Sequence, residues 1–334
     1  MSKNVLNAIK KVKYFIKNKG SEFERYGLIY DNVLYVTNGV SQVKIPLEMP
    51  FNAVVNLHQL YVLLSSIKGE SVIVAREDGI IIQANDTTYK VDTLPIESFS
   101  YVDINLPQEY VECDNPQIFK QSCTIACDYV KPILNEFAID YCKELLHICN
   151  NVVSFTNGYG AFQFCLDFAM PNMALNLNSL LAISKIVGSE VIKGFNIHGD
   201  KLMIVTESLI LYTPILFTDR TPLWFDKISK MFNTLQSQNK VNIEFTDYII
   251  EQFKILSKLS IGKFIFFNNT FCESEDNRIE YPSIGDNNFA FKISISNLFN
   301  VLSLTNSISI TDNYTLFFQN EFIRVAITGV RYDE

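Results

Sequence analysis

The sequence predicts an α+β protein built from three similar domains, with helices on one face of mostly antiparallel sheets. Three observations carry this. The order tight turn, short strand, helix, paired strands occurs three times. The matching positions recur at a nearly constant distance: Gly39 and Gly158 lie 119 residues apart, and Leu60, Leu180 and Leu298 follow one another at 120 and 118. The hairpin turns within each copy imply antiparallel pairing, and helices segregated to one face of such sheets define the α+β class. A period of this size is too long for a stacked solenoid and fits a unit with its own core. The expected domains are 1–105, 112–220 and 224–334.

The first copy opens with an amphipathic helix over residues 4–18, in which Val5, Ile9, Val12 and Ile16 recur at helical spacing. Lys3, Lys10, Lys13 and Lys17 fall on another face, and Gly20 ends the segment. A strand over residues 23–30 reaches the turn pair Asp31-Asn32, then a strand closes on Thr37-Asn38-Gly39. Leu57 to Leu64 forms the second helix, and strands 72–76 and 80–94 flank Glu77-Asp78-Gly79. Residues 103–117, with Pro107 and Pro116, connect to the next copy.

The second copy places a helix around residues 128–138, strands at 145–149 and 152–156 about Asn150-Asn151, then Thr156-Asn157-Gly158. Its second helix starts at Leu177, and its last strands surround His198-Gly199-Asp200. The copy ends near Leu216, and a loop runs to Pro222. The third begins with a segment through Trp224 and Phe225, a strand at 241–245 and a helix over 247–259 with Thr246 as N-cap. Asn268-Asn269 and a helix from Ile295 repeat the plan, and the strand 322–328 puts Ile323, Val325 and Ile327 opposite Arg324.

Hydrophobic residues make up 48% of the chain, enough to bury several cores. The N-terminus lacks the apolar stretch of a secretory signal, and no segment reaches a membrane span. Seven cysteines without a C-x-x-C pair, with Cys123 and Cys127 four apart, fit reduced thiols in a cytoplasmic setting. The three histidines His58, His147 and His198 do not pair at a ligand spacing, so no metal and no cofactor is expected. No phosphate-binding glycine loop or nucleophile elbow is present, which argues against an enzyme. The net charge of −8 hides an asymmetry. Residues 1–21 carry six lysines and no acid, leaving 22 of the 28 basic residues against 36 acidic ones, a balance of −14. A basic face on an acidic body is a statement about partners.

At Thr156-Asn157-Gly158, at Leu94-Pro95 followed by Phe99, and at Val330-Arg331, the chain resembles the three-domain DNA sliding clamps, the processivity subunits of bacterial-type replicative polymerases. Ser100 stands where that family has proline after the phenylalanine. Tyr159-Gly160-Ala161 stands where it has a basic and then a larger apolar residue. The resemblance implies a DNA-clamp fold in which two subunits close head to tail into a ring, a homodimer of six domains around duplex DNA. It also implies partners: sequence-independent double-stranded DNA, a replicative DNA polymerase and a clamp loader, with no membrane. On this reading Lys3, Lys10, Lys13 and Lys17 contact phosphates, joined by Lys131, Lys185, Lys254 and Lys258. The partner-peptide pocket is bordered by Thr156, Gly158, Tyr159, Pro222, Ile327, Val330 and Arg331, where a side chain at 158 would block a peptide backbone. The asparagine- and isoleucine-rich composition suits a phage or a low-GC host, and the expected setting is the cytoplasm, that of the host for a phage protein. From a different class, a non-catalytic structural or scaffold protein, viral in origin, would reuse the repeated domain without encircling DNA.

Overall fold

Two-residue turns in the left-handed region start two of the three copies. Asp31 and Asn32 have φ of 49° and 61°, and Asn150 and Asn151 of 50° and 62°. Asn and Asp tolerate this conformation, which matches the natural twist of a hairpin. The turns join Tyr26–Tyr30 to Val33–Thr37 and Leu146–Cys149 to Val152–Thr156. The third copy solves the problem differently. Asn268 Oδ1 accepts the backbone N–H groups of Thr270 (2.9 Å) and Phe271 (3.0 Å), turning the chain between Phe264–Asn268 and Phe271–Glu273.

The computed structural model describes residues 2–17, 21–49, 51–76, 79–84, 86–99, 103, 105–113, 116–130, 146–156, 160–188, 190–217, 223–260, 262–274, 277–284 and 289–329. The chain forms two compact units, Met1–Lys120 with Leu175–Leu216, and Gln121–Ala174 with Phe217–Glu334. The middle copy of the sequence therefore gives its later strands to the first unit and its earlier strands to the second.

The first unit holds a nine-stranded sheet. Its order is Thr93–Leu94, Ala53–Asn56, Tyr26–Tyr30, Val33–Thr37, Gln42–Pro46, Ile210–Pro214, Lys201–Thr206, Ile192–His198 and Val111–Glu112. Two copies merge in it where Gln42, Val43 and Lys44 pair with Tyr212, Leu211 and Ile210. A three-stranded sheet, Val72–Arg76, Gly79–Ala84 and Thr87–Val91, completes the strands of the first copy. The helices Ser2–Lys11 and Leu57–Ser66 pack together, burying Val5 and Ile9 from one and Leu57, Leu60 and Leu64 from the other. Asn56 caps the second of these by accepting from Gln59 N–H at 3.1 Å, and Asn176 caps Leu177–Ala182 by accepting from Ser179 N–H at 2.9 Å.

The first helix is shorter than its periodicity implies. It ends at Lys11, tightens into a 3-10 turn over Lys13–Phe15, and extends at Ile16. Phe15 rather than Ile16 becomes fully buried, and Lys17 N–H donates to the Glu24 carbonyl at 2.8 Å. A short helix, Glu22–Arg25, occupies the start of the expected strand.

The second unit repeats the scheme. Its nine-stranded sheet runs Leu216–Phe217, Met173–Leu175, Leu146–Cys149, Val152–Thr156, Gly160–Cys165, Ile323–Thr328, Thr315–Gln319, Ser307–Thr311 and Lys240–Glu244. Gly160 to Phe164 pair with Ile327 to Ile323, again joining two copies. A four-stranded sheet, Arg278–Glu280, Phe271–Glu273, Phe264–Asn268 and Ala290–Ser294, lies in the third copy. Under one face of the large sheet, Phe155, Phe162 and Phe164 stack and meet Tyr129 of the helix Gln117–Val130. That helix begins well before residue 128; the rest of the expected helix, Pro132 included, lies outside the described residues. Asp247–Leu259 has the expected bounds, with Thr246 Oγ1 accepting from Ile249 N–H at 3.4 Å.

One helix had no counterpart in the sequence reading. Leu223–Ser237 lies on the other face of the second large sheet. Trp224, Ile228, Met231, Phe232 and Leu235 face Ala161, Phe317 and Ala326, while Asp226, Lys227, Lys230, Asn233 and Gln236 are exposed.

Candidate functional site

The lysines divide by what they touch. Lys3 and Lys10 are exposed, stand seven residues apart on one face of Ser2–Lys11, and make no ion pair among the described residues. Lys13 is exposed beyond the helix end; its Nζ donates to Tyr61 Oη at 3.1 Å and lies 4.8 Å from that ring's centre. A cation–π contact of this kind orients the ammonium without removing its charge. Lys17 pairs with Glu24 and is partly neutralised. Lys185 is exposed in the helical stretch Ile183–Val187, and Lys258 is exposed near the end of Asp247–Leu259. Lys254, one turn earlier, pairs with Glu251 at 2.9 Å. Lys131 lies outside the described residues.

Lys11, absent from the expected set, does structural work. Its Nζ lies 3.1 Å from Glu190 Oε1 and 2.5 Å from Ser208 Oγ, fastening the first helix to residues of the middle copy within the same unit. Burial alone would raise the Glu190 carboxyl, but hydrogen bonds from Ser208, Lys11 and Thr206 and the Lys11 charge hold it below its ordinary value. A depressed folded-state pKa contributes stability above the unfolded carboxylate value, about 4.3, and loses it as pH falls through the folded value. The pair is partly solvated, so its worth is about 0.5–1 kcal/mol. Glu190→Gln is expected to lower the urea midpoint at pH 7, with the difference shrinking as pH falls below the unfolded value of about 4.3; equal midpoints at pH 7 would remove the assignment.

Lys44 is of another kind. It is buried, donates to the Leu106 carbonyl at 2.9 Å, and sits 5.7 and 5.3 Å from the rings of Tyr35 and Tyr212. Desolvation lowers its pKa, and the same burial pushes the Tyr212 phenol up to about 12. Tyr212 Oη donates to the Pro107 carbonyl. The connection between the first two copies is thereby tied down over the first large sheet, with Leu106 buried against Met203, Val205 and Tyr212.

Of the expected pocket residues, Thr156 and Ile327 are described. Thr156 pairs with Ala161, which pairs with Ala326, which pairs with Phe317, so these four stand in one row across four strands. Residues opposite one another in a sheet share a face. The row thus lies beneath Leu223–Ser237. Thr156 Oγ1 closes the turn by donating to the Gly160 carbonyl at 2.7 Å. Ile327 pairs with Gly160 and faces the other way: a Cβ on Gly160 would come within 2.4 Å of Tyr129 Oη. Ile327 is fully buried on that side and offers the outer face only its backbone. Gly158, Tyr159, Pro222, Val330 and Arg331 lie outside the described residues.

No group of His, Cys, Asp and Glu able to hold a metal occurs among the described residues. Burial raises the Cys272 thiol to about 12 and lifts Cys123 beyond that, so neither is a thiolate nucleophile at neutral pH. No described helix is long and apolar enough to cross a membrane.

No family model matches the sequence, and no curated protein matches it. Solved structures do match. A DNA polymerase III subunit beta (DnaN sliding clamp) from Pseudomonas aeruginosa, bound to griselimycin, superposes with a TM-score of 0.72 at 13% identity, covering 99% of this chain and 98% of that one. A Helicobacter pylori beta clamp bound to a DNA ligase peptide gives 0.68 at 13%, with the same coverage. A beta sliding clamp from C. crescentus gives 0.72 at 11%, again over 99% and 98%. Similarity this complete at such low identity is a statement about architecture: the chain has the fold of the bacterial DNA polymerase III beta sliding clamps.

Proposed function

We propose that this chain is a sliding clamp, a non-catalytic processivity factor that encircles duplex DNA and tethers a replicative polymerase and other partners. The observation that carries this is the full-length match to clamp structures, in which all three copies of the repeat take part. The exposed charges of Lys3 and Lys10 on the N-terminal helix support it, since a clamp must touch phosphates without reading bases. The chain acts, on this reading, in a cytoplasm where host or phage DNA is copied, and a loader opens the ring. The clamp domains are 1–105, 112–220 and 224–334.

The ring is a homodimer joined head to tail between the first and third copies. Val72–Arg76 and Arg278–Glu280 are end strands of the two small sheets. Such edges invite pairing with another chain, and a closed ring removes them. Exposed Val72 supplies an apolar contact at one edge, and Arg278 and Glu280 supply charge at the other. Light scattering across a dilution series is expected to show a dimer that dissociates to monomer. The decisive experiment is topological. The protein, once loaded, should stay on nicked circular DNA and run off the same DNA after linearisation. Equal retention on both forms would favour a scaffold protein that reuses the fold.

A further inference from the structure

The two large sheets have four ends, and three of them finish in strands of two residues, Thr93–Leu94, Val111–Glu112 and Leu216–Phe217. Edges this short offer little to a second strand. The fourth end is Lys240–Glu244. Its five residues pair with Ser307–Thr311 in one unbroken register and, among the described residues, with no strand on the other side. In an antiparallel ladder alternate residues spend their backbone groups on the neighbour. Phe245 N–H donates to the Asn306 carbonyl at 2.7 Å, so Val241 and Ile243 belong to the set that faces inward. The backbone groups of Lys240, Asn242 and Glu244 therefore turn toward the open edge. A cleft of about 650 Å³ lies beside Asn242 and Glu244, bounded by Tyr248, Pro282 and Ile284, so the edge has room next to it.

We propose that this edge pairs with the same edge of a second copy of the chain, antiparallel about a two-fold axis at Asn242. What selects a second copy is the order of charge along the strand, Lys-Val-Asn-Ile-Glu. Charged groups on an edge usually keep other strands away. In this pairing they attract: Lys240 stands opposite Glu244 of the second copy, Glu244 opposite its Lys240, and Asn242 meets Asn242. A slip of two residues either way leaves each charge facing Asn242, Gln238 or Thr246, so the charges also fix the register. The side chains are already held close to the strand. Lys240 Nζ lies 4.4 Å from the centre of the Phe317 ring and donates to the Gln236 carbonyl at 3.1 Å, and Asn242 Oδ1 accepts from Ser309 Oγ at 2.7 Å. One short strand per copy makes a small contact, so the association depends on concentration. It is distinct from the head-to-tail contact, which uses the small sheets: a monomer would stop at a pair, whereas a ring of two subunits carries two such edges and would link ring to ring.

Sedimentation velocity of the full chain, over a hundredfold range of concentration, tests the pairing. The unmodified chain is expected to grow beyond its basal assembly at the top of the range. Lys240→Glu and Glu244→Lys each set like charges opposite one another at both ends of the pair, and each alone is expected to weaken this growth at least about tenfold. An equimolar mixture of the two variants should recover it, because a mixed pair again sets Glu against Lys at both ends. A variant that merely misfolded would not be rescued by mixing, so the mixture separates pairing from damage. Absence of growth in the unmodified chain, growth that both variants leave unchanged, or a mixture no stronger than its components overturns the proposal. The head-to-tail dimer, where it forms, persists in both variants, so the ring reading and this one can fail separately.

Discussion

Charge reversal of Lys3, Lys10 and Lys13 to glutamate is expected to weaken retention on duplex DNA by about 100-fold at 0.15 M salt and to flatten its salt dependence. Each phosphate contact releases close to one counterion, so three lost contacts reduce the slope of log affinity against log salt by about 2.7. These three are chosen because their charge is available. Lys3 and Lys10 are exposed without an ion-pair partner among the described residues, and Lys13 is held by the ring and hydroxyl of Tyr61. Lys17 forms the internal control. Glu24 already offsets it, and the Glu24 carboxyl is held below its ordinary value by the Lys17 hydrogen bond. Lys17→Glu should therefore change DNA retention less than any of the other three. The oligomer should survive the triple change, since Val5, Ile9 and Val12 carry the packing of this segment. An unchanged salt slope in the triple variant would end the phosphate assignment.

The repeat was legible because its punctuation is local. Thr246 announces a helix start by chemistry that acts over three residues, and the Asp31-Asn32 and Asn150-Asn151 turns do the same for hairpins. What local chemistry cannot encode is which copies share a sheet. The pairing of Lys44 with Ile210, or of Phe164 with Ile323, joins residues more than 150 positions apart, and no short motif marks it. The break of the first helix after Lys11 was hidden for a related reason, since Phe15 and Ile16 both fit an apolar stripe and only the tertiary core chooses between them. The helix Leu223–Ser237 could have been found. Trp224, Ile228, Met231, Phe232 and Leu235 recur at helical spacing in the sequence, with polar residues between them. The sequence reading takes them only as a segment through Trp224 and Phe225 at the start of the third copy and does not take up this spacing. Ile327 shows the limit of motif transfer: its place in the chain matches a pocket wall, but the strand's alternation turns its side chain into the core.

Phe162→Ala is expected to cost the second unit about 3–5 kcal/mol, the range for emptying a buried aromatic site. Phe162 is fully buried, lies 4.9 Å from Phe155 with the rings 12° apart, and meets Tyr129 edge-on at 4.8 Å. Offset stacks and edge contacts add about 0.5–1.5 kcal/mol beyond area, so the loss should sit toward the upper end. The surroundings cannot collapse easily into the cavity. Gly160, two residues back on the same face, already brings the strand so close that a Cβ would meet Tyr129 Oη at 2.4 Å and the Ala326 carbonyl at 2.7 Å. Tyr129 is therefore pinned between the glycine and the phenylalanine, and cannot move into the vacancy without exposing Phe155. Against a typical domain stability of about 5–15 kcal/mol, this change alone brings the unit near its threshold. Urea unfolding followed by Trp224 emission measures it, because that tryptophan lies in the same unit. Phe162→Leu, which keeps most of the volume and loses the stacking, should recover more than half of the stability. A loss below about 1 kcal/mol for Phe162→Ala would show that the helix Gln117–Val130 does not depend on this stack for its seat.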